Sequence, residues 1–215
     1  MSDTATDHLE RPGPGLGTVQ RRRRLRFTLA GASLLLALPF VHSIGPGEGP
    51  LHEGLEVLGM GLIAAAILGR SWCALYIGGR KSHEVVATGP YSISRNPLYF
   101  FSLIAVFGIG LQTGSIVMGL LAFGLGLAIF YPVILSEEKA LARLFGAEYQ
   151  AYLKRVPRFG PDFALWRDME SIVVHPRRLR RTFLEALPFL LAIPICEAIE
   201  KLQDAGHLVP FIHLP

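Results

Sequence analysis

The sequence predicts an all-α protein, a polytopic membrane helical bundle of four to five transmembrane helices. Three observations predict it. The 215 residues are 51% hydrophobic and only 18% charged, with a mean hydropathy of +0.40, too apolar for an ordinary soluble domain. Apolar stretches of about bilayer-spanning length recur between loops rich in glycine and proline. The 21 Lys and Arg, which leave a formal net charge of +4, flank those stretches instead of forming one face with interleaved aromatics. They therefore set topology, and nucleic acid is excluded as a partner.

Taken in order, residues 1–20 lack periodicity and are expected to form a disordered cytoplasmic tail. The basic run Arg21–Arg26 precedes an apolar stretch from Phe27 to Ile44, which imitates a signal peptide but lacks a small-residue cleavage site. It reads as an uncleaved first span. The loop Gly45–Glu53 has two glutamates and no Lys or Arg, which puts the amino terminus in the cytoplasm. A second span is expected from about Leu55 to Gly79, with Arg70 and Trp72 near its cytoplasmic half. Arg70 is either a functional group or a snorkelling arginine. Apolar sequence from Leu98 to Leu135, interrupted at Gln112–Ser115, reads as a helical hairpin of two spans that returns the chain to the cytoplasmic side. Residues 21–160 thus form a membrane core, and 161–215 a basic connector followed by an apolar helix. That connector is a topology signal or a segment lying on anionic headgroups. The stretch Phe183–Ile199 carries Glu185, Glu197, Pro188 and Pro194, and is either a fifth crossing or a bent, interfacial helix.

Two polar stretches on the same membrane face carry the chemistry. In the first, which opens at His83, Gly89-Pro90 signals a turn, and Asn96 before Pro97 predicts a helix starting at Pro97. Its first turn, with Arg95 and Tyr91 beside it, is an anion site. In the second, residues 137–158, Glu138, Leu141, Phe145, Tyr149 and Tyr152 recur at spacings of three, four, four and three. They share one helical face, with a bend at Gly146. Glu137 and Glu138 are either part of a site or the solvated edge of an interfacial helix. Cys73 and Cys196 have no ligand spacing, no HExxH, P-loop, GxSxG or GxGxxG pattern occurs, and the other histidines read as surface or loop residues, so no metal site is expected.

The segments LGRSW (68–72), His83, GPYSISRNPLY (89–99) and EEKALARLFGAEYQAYLKRVPR (137–158) together resemble the isoprenylcysteine carboxyl methyltransferase family and its phospholipid methyltransferase relatives. Asn96 departs from the arginine-histidine-proline pattern of many members. The resemblance implies an S-adenosyl-L-methionine-dependent methyltransferase, like the protein-S-isoprenylcysteine O-methyltransferases. Its cytoplasmic-face cofactor pocket would be walled by membrane helices and closed by the region after the last motif. On that reading Arg95 and the helix start at Asn96-Pro97 suit the cofactor carboxylate, and Glu137 or Glu138 suits the ammonium or ribose diol. Tyr91, Tyr99, Phe145 and Tyr149 would wall the adenine or sulfonium, with His83, Val85 and Val86 touching the cofactor. Arg155 or Arg158 would orient a carboxylate acceptor, Glu138 would take a proton from an amine, and Arg70 and Trp72 would meet the acceptor. The implied partners are the lipid bilayer and a lipidic or small-molecule methyl acceptor, in a bacterial inner membrane. A sterol-reductase-like NADPH enzyme and a non-catalytic scaffold or sensor are the competing readings.

Overall fold

The fold was obtained as a computed structural model, which describes residues 41–43, 49–80, 83–208 and 212–214. Helix α1 (Pro50–Ile77) starts on a proline at its first position and places Glu53 in its first turn, where the dipole favours a carboxylate. Its 28 residues extend about 42 Å at 1.5 Å per residue, more than a bilayer core. A single turn, α2 (Pro90–Ile93), follows, then α3 (Pro97–Leu111) and α4 (Ile116–Arg155). The break between α3 and α4 falls at residues 112–115, as the polar interruption predicts, and the Ser115 hydroxyl caps α4 by accepting from the Met118 N–H at 3.4 Å.

Helix α4 bends at Gly146, whose φ of 55° and ψ of −127° lie outside the helical region. A residue with a Cβ is strained there, so the predicted bend is a consequence of this one glycine. After an extended connector the chain ends in α5 (Pro176–Ala186) and α6 (Pro188–Asp204), continuous enough to form one apolar rod from Pro176 to Gln203. A short parallel ladder pairs β1 (Val41–Ser43) with β2 (Ile212–Leu214). The last residues of the expected span Phe27–Ile44 are therefore extended. The rest of that span, the tail 1–20 and the basic run Arg21–Arg26 lie outside the described residues.

Among the described residues three rods are long and apolar enough to cross a membrane, Pro50–Ile77, Ile116–Arg155 and Pro176–Gln203, and α3 is a shorter apolar helix. The chain is an integral membrane protein of the all-α class. In lipid, helices gain little from hydrophobicity against one another, so close backbone approach matters. A Cβ on Gly110 of α3 would lie 2.6 Å from the Gly119 Cα of α4, and one on Gly108 would lie 2.8 Å from the Gly59 carbonyl of α1. These small residues let α3 sit between its neighbours. Helices α5 and α6 run antiparallel to α1: His175 packs on Gly79 just beyond one end, and Glu200 meets His52 at the other. Ala186 and Ala192 pack with Ile63, Ile67 and Ile109 between. This rod packs on α1 around Ile63 and Ile67 and is long and apolar enough to cross a membrane.

At 15 residues, α3 is about 22 Å long, short of the roughly 30 Å hydrocarbon core. Its amino-terminal end therefore sits recessed between the longer α1 and α4, and the cleft described next lies there.

Candidate functional site

The two polar stretches meet in one cleft, partly open to the outside. The α4 face contributes Glu138, Leu141, Phe145, Tyr149 and Tyr152, which is the stripe read from the sequence. Opposite it stand Tyr91, Arg95, Asn96 and Tyr99 from the turn between α2 and α3, with Glu84, Val85 and Val86 completing the rim. Neither glutamate of the pair is solvated: Glu137 is 4% and Glu138 6% exposed.

A buried carboxylate needs compensation, and Glu138 receives it from three side chains. Arg158 binds it in a fork, Nη2 to Oε2 at 2.9 Å and Nε to Oε2 and Oε1 at 3.1 and 3.2 Å. Asn96 Nδ2 donates to Oε1 at 3.2 Å, and Arg95 Nη1 lies 3.5 Å from the same oxygen. These bonds from the carboxylate push the Arg158 guanidinium pKa up, so its charge is permanent. Arg95 Nε, in contrast, is buried and has no hydrogen-bond partner among the described residues. A buried, unmatched guanidinium N–H at the wall of a cleft is a position for an anion.

Two details differ from expectation. Asn96 is not a side-chain cap. Its amide is drawn to Glu138 and the Arg158 carbonyl because the buried charge outbids a neutral helix end. The N–H groups of Tyr99 and Phe100 are taken by the Asn96 carbonyl, and Pro97 has none to give, so attraction for an anion falls mainly on Arg95.

The connector packs against the outside of the α2 turn that forms one wall of the cleft. Arg95 N–H donates to the Pro157 carbonyl at 2.9 Å, Asp162 N–H to Ile93 at 3.0 Å and Gly89 N–H to Arg167 at 2.7 Å. The Arg167 N–H reaches Ser92 Oγ at 3.0 Å, and Tyr76 donates to Asp168 at 2.8 Å. Tyr152 reaches across the interior to the Tyr91 carbonyl at 2.8 Å. Residues 157–168 are thus a strap, and the cluster Arg177, Arg178, Arg180 and Arg181 belongs to α5 beyond it.

Of the other sequence candidates, His83 is exposed and Pro97 is buried at the start of α3, neither on the cleft wall. Arg155 is exposed in the last turn of α4. Arg70 is turned between helices: it donates to Ser102 Oγ and to the Leu98 carbonyl at 3.4 Å and lies 5.8 Å from the Phe189 ring centroid. Trp72 stacks on Trp166 of the connector at 5.7 Å. Ile77 and Leu98, ordinary apolar residues, also line the wall, and no pattern in the sequence marks them. Glu84 went unnoticed beside His83, and the Arg80 guanidinium holds its carboxyl below the usual range.

Residues 55–148, from the second turn of α1 to α4 just past its bend, match the profile of the phospholipid methyltransferase family. The nickel-cobalt-cadmium resistance protein NccN of Alcaligenes xylosoxydans xylosoxydans is 39% identical over 166 residues, 77% of each chain. The cobalt-zinc-cadmium resistance protein CzcN of Cupriavidus metallidurans is 38% identical over 179 residues, 81% of this chain and 80% of its own. The chain belongs to the phospholipid methyltransferase family. No solved structure gives a significant match. The matched phospholipid methyltransferase segment contains Arg95, Glu137 and Glu138, whereas Arg158 and the strap lie beyond it. Family membership makes this a membrane methyltransferase.

Proposed function

We propose that this family member transfers a methyl group from S-adenosyl-L-methionine to a lipidic carboxylate of the isoprenylcysteine kind, at the cytoplasmic face of a bacterial inner membrane. The observation that carries the reading is the buried Arg95 Nε at the wall of the cleft, beside a Glu138 carboxylate already held by Arg158 and Asn96. A cofactor carboxylate would complete Arg95. Glu137 on the same wall suits the ammonium or the ribose diol, and the faces of Tyr91, Tyr99 and Tyr149 suit a sulfonium through their quadrupoles. When bound, the cofactor supplies a methyl group already activated by positive sulfur.

The protein's part is then to align, to exclude water and to hold charge in place. Both oxygens of Glu138 are occupied by two guanidiniums and an amide, which leaves them little room to meet an incoming amine. That favours an acceptor needing no base, a carboxylate, over an amine, and gives Glu138 the task of positioning Arg95 and Arg158. Arg158, 31% exposed and held by Glu138, adds fixed positive charge beside the site. The recessed end of α3 favours lateral access from the bilayer, sparing a lipid chain a passage through water. The relatives' names tie those proteins to metal resistance, and we carry that over as the setting in which this methylation operates.

Calorimetric titration of the detergent-purified protein with S-adenosylhomocysteine tests the reading. Saturable binding is expected, weakened at least about tenfold in Arg95→Ala, as loss of one charge-assisted bond implies. A well-folded wild type that ignores this ligand and binds NADPH instead would sink it.

A further inference from the structure

The end of the bundle opposite the methyl-transfer cleft carries a second cluster. His52 and Glu56, one turn apart at the start of α1, face Glu200 near the end of α6. The His52 side chain is 9% exposed, whereas Glu56 and Glu200 retain 31% and 25%, leaving a path to solvent. His52 Nε2 lies 3.1 Å from Glu200 Oε1 and 3.5 Å from Glu56 Oε1, and the three donor atoms all lie within 4.8 Å of one another. Tetrahedral coordination with bonds of about 2.0–2.1 Å requires donors about 3.3 Å apart. Two edges of such a tetrahedron are already formed.

The imidazole is held for this purpose. The turn joining α3 and α4 presses on its other side, so closely that a Cβ on Gly114 would fall 1.9 Å from Nδ1. Nδ1 is buried with no hydrogen-bond partner among the described residues, so Nε2 is the nitrogen presented to a ligand. Gln112 Nε2 donates to the Glu56 carbonyl at 2.8 Å, tying the same turn of α1 to the hairpin. Cys196 lies a turn before Glu200 on α6, buried and within coulombic range of both carboxylates.

We propose that His52, Glu56 and Glu200 bind a divalent cation of borderline softness, the class of zinc, cobalt, nickel and cadmium. One position remains open to water. An imidazole with two carboxylates suits such ions, and the set is too small and too nitrogenous for calcium or magnesium. This departs from the expectation of no metal, and it does not rest on the methyltransferase reading.

The test is titration of chelator-treated, full-length protein in detergent with Co²⁺ alone, followed by visible absorption and calorimetry. One saturable Co²⁺ per chain with ligand-field bands is expected, displaced by Zn²⁺ and not by Mg²⁺. Binding should weaken at least tenfold in His52→Ala, in Glu200→Gln and in the milder Glu56→Gln, each with wild-type helical circular dichroism. Wild type that takes up no Co²⁺, folded variants that bind it as tightly as wild type, or displacement by equimolar Mg²⁺ each overturns the proposal.

Discussion

Glu138 shows how far a side-chain pattern can be read. Its place on a stripe with Leu141, Phe145, Tyr149 and Tyr152 followed from spacing alone, and the cleft wall contains all five. What it faces did not follow, because Arg158 arrives from beyond α4 and Asn96 from another helix. Pairing across such separations leaves no periodicity to detect. Since one carboxylate holds both guanidiniums, Glu138→Gln leaves Arg95, 12% exposed, without its counter-charge. We expect a loss of about 3 kcal/mol in stability, read as a lower melting temperature in detergent, together with weaker S-adenosylhomocysteine binding. An unchanged melting temperature would mean that the ion pairs contribute nothing net. His52 gave less warning still, since a lone histidine at a helix start looks like any surface residue until the far end of the chain is folded against it.

At the scale of elements, the breaks were legible wherever backbone chemistry forces them. Pro90 and Pro97 open helices, residues 112–115 turn the hairpin, and Gly146 bends α4. The α5–α6 rod was ambiguous because Glu185 and two prolines dilute its apolar signal, and the structure adds that it packs on α1 and is long enough to span. Gly146 also offers a clean experiment. A Cβ there would meet nothing within 4 Å, so Gly146→Ala tests backbone conformation without a clash. The strained dihedrals cost on the order of 1–3 kcal/mol. Relief by straightening α4 would swing Tyr149 and Tyr152 off the wall. The variant should therefore melt lower and bind S-adenosylhomocysteine more weakly. Binding at wild-type strength would show that the bend does not shape the site.

For the whole molecule, counting apolar stretches brought both motifs to one membrane face, and the described helices meet there. A crossing by α5–α6 would put its two ends on opposite sides of the membrane. Cysteines introduced at Arg180 and at Lys201 should react with an impermeant thiol reagent from opposite sides of the membrane. The native Cys73 and Cys196 are buried and provide a quiet background. Labelling of both positions from one side would contradict a fourth crossing among the described residues. The strap over residues 157–168 was expected only in outline, as the region after the last motif that closes the pocket, and its partners were hidden for a different reason. To its hydrogen bonds with the turn around α2 it contributes main-chain atoms: the carbonyls of Pro157, Arg158 and Arg167 and the N–H groups of Asp162 and Arg167. A contact written in the main chain is free to drift. Descendants of one ancestor could exchange most side chains along this stretch and still brace the same wall of the cleft, so the segment would look expendable in the very comparison meant to find what matters.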